Sequence, residues 1–265
     1  MFDLPNRLRV KLAGGQPVLG AALLSWSPGM VEAAAASGLD FVRIDTEHAW
    51  RRDEMIENLV RAAWLGGTVP MIRVDNADPL LVRKALEIGA GAVLVSDVRS
   101  AAQATAAVRA ARFPPLGDRG FSGNCFSGGW GTHPSDRWIE WSNREPMIGI
   151  MIEHPDAVAA IEEIVAVEGL DFVFFGPGDF SIVIGLRKTD RRDPRVRAAF
   201  EATVTAARRS GLHALCNSGT DVAEMRRLVG LGIDMLELGN DLSLIAALWR
   251  NAVSGFAASP PARDE

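Results

Sequence analysis

The sequence has few cysteines, no excess of positive charge and no long hydrophobic run, and each absence excludes a class of protein. Its 265 residues include 2 cysteines, Cys125 and Cys216, which lack CxxC spacing. A chain of this length does not need disulfide bonds for a stable core, so both are expected to be free thiols. The 28 basic and 33 acidic residues give a net charge of −5. Nothing in this balance attracts phosphate backbones or anionic lipid, so nucleic acid and membrane partners are not expected.

Membrane insertion and secretion are also unexpected. The longest apolar runs, residues 147–152 and 172–175, are far shorter than the roughly 20 residues that cross a bilayer. The amino-terminal segment, residues 1–11, mixes charged residues and proline without the continuous apolar stretch of a secretory signal. The sequence therefore predicts a globular protein of the cytoplasm.

Eight short apolar runs alternate with alanine-rich helical stretches, such as residues 28–36 and 78–88. The predicted strands are residues 18–24, 41–45, 69–74, 92–98, 147–153, 172–176, 212–217 and 235–239. Most are nearly continuous apolar runs, which is typical of parallel strands buried on both faces by helices. Eight such units in about 250 residues match a (β/α)8 TIM barrel. An open doubly wound sheet is the alternative, but residues 23–30 lack the glycine-rich phosphate turn expected after its first strand.

We expect a single barrel domain over residues 1–256 and a flexible tail over residues 257–265. Three helix–strand links share a Gly-apolar-Asp pattern, in which glycine ends the helix in a left-handed conformation. These links begin at Gly38, Gly169 and Gly232. A long segment, residues 113–146, interrupts the pattern and is rich in Gly, Ser, Trp and Pro. It is interpreted either as a lid over the active-site mouth or as a surface insertion that packs tryptophans against a neighbouring subunit.

Charged residues stand at the predicted carboxyl ends of several strands, which form the active-site mouth of a barrel. Glu153 and Asp179 follow neighbouring strands and are hard oxygen ligands that suit magnesium or manganese. Two carboxylates leave positions for water and substrate, as in a catalytic metal site. Gly176 and Gly178 precede Asp179 and allow close approach of a small ligand, although turn formation explains these glycines equally well.

Two further residues complete the predicted site. His48 follows Asp45 and Glu47 at the end of the second strand and is the candidate general base among the four histidines. Arg73 ends an otherwise apolar strand, where an unpaired guanidinium is costly. It must therefore pair with a carboxylate or bind the carboxylate of an anionic substrate.

Four segments together resemble the HpcH/HpaI aldolase family, and the resemblance extends from about residue 20 to residue 255. The segments are Ile44-Asp45-Thr46-Glu47-His48-Ala49, Pro70-x-x-Arg73, Phe113-Pro114-Pro115-x-Gly117-x-Arg119-Gly120 and Gly176-Pro177-Gly178-Asp179-Phe180-Ser181. The resemblance implies a TIM barrel, a homo-oligomer that is a hexamer or trimer, and a divalent ion, Mg²⁺, Mn²⁺ or Co²⁺. The implied activity is a class II aldolase reaction that cleaves 4-hydroxy-2-oxo acids to pyruvate and an aldehyde, or forms them from these two compounds, through a metal-stabilised pyruvate enolate.

Position by position, the resemblance implies that Glu153 and Asp179 bind the metal and that His48 is the acid/base, beside Asp45. It implies that Arg73 binds substrate and stabilises the enolate, and that Glu87 stands where the family has an aspartate that raises the basicity of the histidine. Gly176, Gly178 and Asp179 fall in the substrate-binding turn, where Gly178 replaces a usual alanine.

Two departures from the family pattern bear on the substrate. Met151 replaces a glutamine two residues before Glu153, and Ser96-Asp97-Val98 replaces Pro-Met-Val after the fourth strand. The alternatives within the same superfamily are an oxaloacetate decarboxylase and a citryl or malyl thioester lyase. A non-catalytic binding barrel is the alternative from a different class.

Overall fold

The computed structural model describes residues 3–48, 54–75 and 78–258. Eight parallel strands form one closed barrel in the order β1-β2-β3-β4-β5-β6-β7-β8. The strands are β1 Val18–Leu23, β2 Phe41–Asp45, β3 Val69–Val74, β4 Ala92–Val95, β5 Met147–Ile152, β6 Phe172–Phe175, β7 His213–Asn217 and β8 Met235–Asn240. The predicted (β/α)8 barrel is therefore confirmed, and each predicted strand overlaps an observed one.

Helices surround the barrel and connect its strands. They are α1 Arg7–Ala13, α2 Pro28–Ala36, α3 Glu54–Gly66, α4 Pro79–Glu87, α5 Ala101–Ala111, α6 Ser135–Arg144, α7 Pro155–Ala159, α8 Ile161–Val165, α9 Pro177–Val183, α10 Pro194–Arg209, α11 Val222–Gly230 and α12 Asp241–Ala258. None of the helices in the described part of the chain combines the length and the apolar composition needed to cross a membrane. Both cysteines are free thiols, as expected.

The strands are buried on both faces, which explains their continuous apolar runs. Residues facing the barrel interior include Phe41, Met71 and Phe172, which belong to one buried cluster. Alternate residues such as Val42 and Ile44 belong to a larger cluster between the strands and the surrounding helices. Successive side chains of a strand point to opposite faces. Within each strand, residues therefore alternate between the barrel interior and the layer of helices.

The three Gly-apolar-Asp links adopt the predicted left-handed glycine conformation, with φ of 84° at Gly38, 85° at Gly169 and 94° at Gly232. The structure also explains the aspartates. Each accepts a hydrogen bond from a backbone N–H of an adjacent strand: Leu19 N to Asp40 at 3.0 Å, Ile148 N to Asp171 at 2.7 Å and Ala214 N to Asp234 at 3.0 Å. The recurrent motif therefore joins the start of one strand to its neighbour at the amino end of the barrel.

The long segment over residues 113–146 contains a 3-10 turn, Gly129–Gly131, and helix α6. It follows α5 and precedes β5, so both of its ends lie at the amino end of the barrel. Ser127 N donates a hydrogen bond to Glu87 O, at the end of α4, over 3.0 Å. The interpretation of this segment as a lid over the mouth of its own barrel is therefore wrong, because the mouth lies at the opposite end.

Two tryptophans of the segment are core residues of this chain. Trp138 and Trp141 are buried and cluster with Phe113. Arg119 is buried beside them, with its guanidinium carbon 4.5 Å from the centroid of the Phe113 ring. Trp130, in contrast, is 63% exposed. Trp138 and Trp141 thus stabilise the protomer itself, and only Trp130 presents its ring to the surroundings.

Helix α12 contacts β1 and β8, but most of its surface is exposed. Among its residues 242–257, none is buried, and the second half of the helix is exposed on all sides. Large apolar side chains are exposed there: Leu248, Trp249, Val253 and Phe256. The helix continues to Ala258, so residues 257 and 258 of the predicted tail are helical. The rest of that predicted tail, residues 259–265, lies outside the described residues.

Candidate active site

The carboxyl ends of the strands place charged side chains around the barrel mouth. Asp45 ends β2 and is in register with Arg73 of β3. Glu153 directly follows β5, and Gly176 directly follows β6. Asp45, Arg73 and Glu153 are all buried. The structure thus brings together most of the residues that the sequence singled out.

Arg73 lies between two carboxylates. Its Nη2 atom is 2.5 Å from Asp45 Oδ2, and its Nη1 atom is 2.9 Å from Glu47 Oε2. Burial by itself would raise the pKa of Asp45, yet the guanidinium groups of Arg73 and Arg43 outweigh it and hold the pKa below its usual range. Asp45 is therefore a permanent anion that orients Arg73 in the mouth.

A second buried arginine extends this network into the barrel. Arg43 Nη1 is 3.0 Å from Asp45 Oδ2, and the same guanidinium binds Glu237 of β8 through Nε–Oε2 at 2.6 Å and Nη2–Oε1 at 2.9 Å. Although burial opposes its charge, the adjacent carboxylates of Glu237 and Asp45 raise the pKa of Arg43. The sequence reasoning missed both Arg43 and Glu237. Strand alternation could have identified Arg43, because residues two apart on a strand share a face and Arg43 therefore lies on the inward face of β2 with Asp45.

Glu153 is a buried carboxyl group in an unfavourable position for its charge. Its Oε1 atom accepts a hydrogen bond from Asp97 N at 2.8 Å. Burial, together with the negative charges of Asp179 and Glu47, raises its pKa to about 7, against the opposing effects of that hydrogen bond and of Arg73. Because the Asp179 carboxylate contributes to this shift, the two predicted metal ligands interact electrostatically. A cation between them would relieve the repulsion.

The donor set fits a divalent ion. Asp179 lies in the first turn of α9 and is exposed, whereas Glu153 is buried. A Cβ atom added to Gly176 would lie 2.9 Å from Glu153 Oε2, so only glycine leaves room beside this carboxylate. Within the described residues, no cluster of three or more His, Cys, Asp or Glu side chains is placed to hold a metal ion. Two carboxylates suit an ion that keeps open positions for water and substrate.

His48 stands at the rim of the site and is exposed. Its backbone N–H donates a hydrogen bond to Asp45 Oδ1 over 3.1 Å, as does that of Glu47. The described contact between His48 and Asp45 therefore runs through the backbone. This capped turn directs the chain at the end of β2 toward the mouth, where an exposed imidazole can exchange protons with substrate or water.

The structure does not bring Glu87 to His48. Glu87 is the last residue of α4, which runs from the carboxyl end of β3 back to the amino end of the barrel. Its Oε1 atom is 3.8 Å from Arg83 Nε. Since His48 lies at the opposite end of the barrel, the two side chains cannot meet within one chain.

The departures from the family pattern have structural consequences at the mouth. The sulfur of Met151 accepts a contact from Arg73 Nη1 at 3.7 Å, so the thioether lies against the guanidinium. Asp97 adopts a left-handed conformation with φ of 51° and pairs with Arg99 at 2.7 Å. Its own carboxylate is therefore neutralised by Arg99, while its backbone N–H fixes Glu153.

Comparison with known proteins supports one family for this site. A family model described as HpcH/HpaI aldolase/citrate lyase matches residues 22–247. The chain belongs to this family. A hydroxypyruvate/pyruvate aldolase of Pseudomonas aeruginosa is 33% identical over 262 residues, which cover 98% of this chain and 97% of the relative. A 4-hydroxy-2-oxo-heptane-1,7-dioate aldolase of Escherichia coli is 29% identical and covers 98% of both chains.

A solved structure agrees with this assignment. The crystal structure of an HpcH/HpaI aldolase from Desulfitobacterium hafniense superposes with a TM-score of 0.88 at 32% identity, covering 97% of this chain and 99% of that one. The expected family membership and the barrel are therefore confirmed. At the level of the family, the relatives are aldolases, so a lyase role on small-molecule substrates is supported.

Proposed function

We propose that this HpcH/HpaI family member is a class II pyruvate aldolase that cleaves or forms 4-hydroxy-2-oxo acids. The observation that carries the proposal is Arg73, a buried guanidinium held between Asp45 and Glu47 at the barrel mouth. Beside it stands Glu153, whose pKa is raised to about 7 by burial and neighbouring negative charge. A fixed guanidinium beside a carboxyl group that can bind a metal ion suits a 2-oxo acid, which carries a carboxylate and a carbonyl oxygen on adjacent carbons.

Glu153 and Asp179 would hold the divalent ion, Mg²⁺, Mn²⁺ or Co²⁺. When bound, such an ion supplies Lewis-acid stabilisation of negative charge on substrate oxygens. Gly176 keeps the space beside Glu153 open. Gly178, one residue before Asp179, offers backbone without a side chain to the substrate carboxylate.

Arg73 orients the substrate and stabilises the negative charge that forms on its 2-oxo oxygen. Within the described residues, its buried Nε atom has no hydrogen-bond acceptor in the protein. A substrate oxygen would satisfy this donor, whereas the two terminal nitrogens stay paired with Asp45 and Glu47. Arg73 is thus pre-positioned at no additional cost when substrate binds.

His48 takes the proton from the 4-hydroxyl group of the substrate as the bond between C3 and C4 breaks. The exposed position of His48 at the end of β2 places it on the solvent side of the mouth, where the aldehyde fragment would leave. The same side chain would return a proton during aldol addition. Glu87 receives no role within the protomer, because it lies at the other end of the barrel.

Self-assembly into a homo-oligomer, a trimer or hexamer, is also proposed. Helix α12 exposes Leu248, Trp249, Val253 and Phe256 to solvent in the isolated chain. Apolar surface of this kind is typical of an interface, since covering it removes apolar area from water. Sedimentation velocity of the wild-type chain beside a Trp249→Glu, Phe256→Glu variant would test this, and a monomeric wild-type protein would contradict it.

The test of the reaction is pyruvate release from a panel of 4-hydroxy-2-oxo acids. The protein is treated with EDTA and assayed with and without restored Mg²⁺, Mn²⁺ or Co²⁺, and oxaloacetate is included as a decarboxylation substrate. Metal-dependent cleavage that is lost in Glu153→Gln and Asp179→Asn, but kept in the exposed control Glu163→Gln, is expected. Release from oxaloacetate alone would favour the decarboxylase instead, and metal binding without any turnover would favour a binding barrel.

A further inference from the structure

A cavity lies outside the barrel, between α10 and α11 and against the outer faces of β6 and β7. Its volume is about 400 Å³, which is in the range of small-molecule sites. The wall includes Phe175 and Phe200, whose ring centroids are 6.0 Å apart in an edge-to-face arrangement. Leu228 and Cys216, both buried, close the inner side. The floor of the cavity is therefore apolar and partly aromatic.

Four arginines surround this apolar floor: Arg191, Arg192, Arg197 and Arg227. Among the described residues, two carboxylates line the same cavity, those of Glu201 and Glu224. Glu224 is bound to Arg227 by two hydrogen bonds of 2.7 Å each, and Glu201 is 3.8 Å from Arg197. Each of the two glutamates thus forms an ion pair with one arginine.

The other two arginines, Arg191 and Arg192, lack such a carboxylate partner among the described residues. Arg191 Nη1 donates to the backbone oxygen of Asn217 at 2.8 Å, which directs its guanidinium toward the end of β7. Across the residues that the structure describes, neither Arg191 nor Arg192 forms an ion pair with a carboxylate. Two guanidinium groups without an ion-pair partner therefore stand at the edge of an apolar cavity.

The electrostatics of the cavity wall support this arrangement. Burial raises the pKa of the Cys216 thiol to about 11, and the charges of Arg191 and Arg227 oppose the shift. Arg191 also contributes to lowering the pKa of Glu224. The positive charge of Arg191 thus affects the pKa of groups on both sides of the cavity, the Cys216 thiol of β7 and the Glu224 carboxylate of α11.

We infer that this cavity binds a small organic anion that carries a carboxylate or phosphate group on an apolar or aromatic body. The planar guanidinium groups of Arg191 and Arg192 would bind two oxygens of the anion, and Phe175 and Phe200 would pack against its body. The inference goes beyond the proposed aldolase activity and does not rest on it, since the cavity lies outside the barrel and uses none of the residues assigned to the reaction.

Calorimetric titration of the EDTA-treated full-length chain with phenyl phosphate and with phenylacetate tests the inference. One saturable site for at least one probe is expected, and the preferred probe distinguishes a phosphate from a carboxylate ligand. The Arg191→Gln, Arg192→Gln double variant should bind at least tenfold more weakly. The matched control Arg226→Gln changes the adjacent exposed arginine of α11, which does not line the cavity, and its affinity should remain within twofold of wild type.

A second variant keeps both arginines and adds a negative charge to the cavity wall. Leu231→Glu places a carboxylate at the rim of the cavity, where Leu231 is 43% exposed, so folding should be unaffected. Binding at least tenfold weaker than wild type is expected. Failure of both probes to saturate, or equal affinity of the wild-type, double and Leu231→Glu proteins, would overturn the inference whatever the outcome of the aldolase assay.

Discussion

Arg43 and Glu237 form a two-bond ion pair inside the barrel, joining β2 to β8 on either side of β1. Both side chains are almost fully buried, with exposed fractions of 6% and 1%. Small residues of β1 lie between the two partners: Gly20 is in register with Glu237, and Ala22 is in register with Arg43. Because Arg43 also contacts Asp45, the pair supports the charged network that holds Arg73 at the mouth.

Removing one partner of this pair should be costly. Glu237→Gln leaves a buried guanidinium with incomplete compensation, so the free energy of unfolding should fall by about 3–5 kcal/mol. The Arg43→Met, Glu237→Leu double variant should recover at least half of that loss, because no uncompensated charge remains. Urea denaturation measures both. The exposed pair Arg61–Glu57 of α3 is the control, and Glu57→Gln should change stability by less than about 1 kcal/mol. A double variant that is no more stable than Glu237→Gln would contradict the predicted recovery.

Arg73→Lys should lower kcat/KM by about 100-fold or more in the pyruvate-release assay. Lysine keeps the positive charge but loses the planar group that contacts Asp45 and Glu47 and presents Nε to the substrate. Arg61→Lys, on the exposed surface of α3, is the matched control and should retain wild-type turnover. Undiminished activity of Arg73→Lys would remove Arg73 from the proposed mechanism.

Gly176→Ala and Gly178→Ala should differ sharply in metal affinity. The backbone at Gly176 has φ of −90°, so alanine is not strained there, but its Cβ would lie 2.9 Å from both Cβ and Oε2 of Glu153. At Gly178 the nearest atom to an added Cβ is Thr189 Oγ1 at 3.6 Å, an ordinary contact. We expect Mg²⁺ affinity to fall about tenfold or more in Gly176→Ala and little in Gly178→Ala. Equal affinities would place the metal elsewhere.

The thiol of Cys216 should react slowly and only at high pH. Its pKa is raised to about 11 by burial, so at pH 8 only about 0.1% of the thiol is thiolate, the reactive form. In a Cys125→Ser background, alkylation by iodoacetamide should accelerate about tenfold per pH unit from pH 7 to pH 10. N-acetylcysteine, measured in parallel, provides the rate of an exposed thiol. A rate that levels off near pH 9 would show that the thiol is not buried as described.

Much of the fold was predictable because burial leaves a direct trace in the sequence. Strands covered on both faces are mostly apolar, so runs such as residues 147–152 identified the strands. The left-handed helix ends at Gly38, Gly169 and Gly232 could be predicted, because a left-handed φ disfavours most residues other than glycine. The site was also largely predictable, since the carboxyl ends of all barrel strands meet at one mouth. Asp45 ends β2, Arg73 is the penultimate residue of β3 and Glu153 follows β5.

The tertiary structure decided what depends on how distant segments meet. Arg43 and Glu237 are 194 residues apart and become partners only because β8 closes the barrel against β1. Glu87 stands at a position where the family has an aspartate, but the direction of α4 places it at the opposite end of the barrel from His48. The segment over residues 113–146 has the composition of a lid, yet its connection from α5 to β5 sets it at the amino end. Local sequence determined the strands and the types of charged residue, whereas barrel closure and helix direction, which no local pattern encodes, determined their partners.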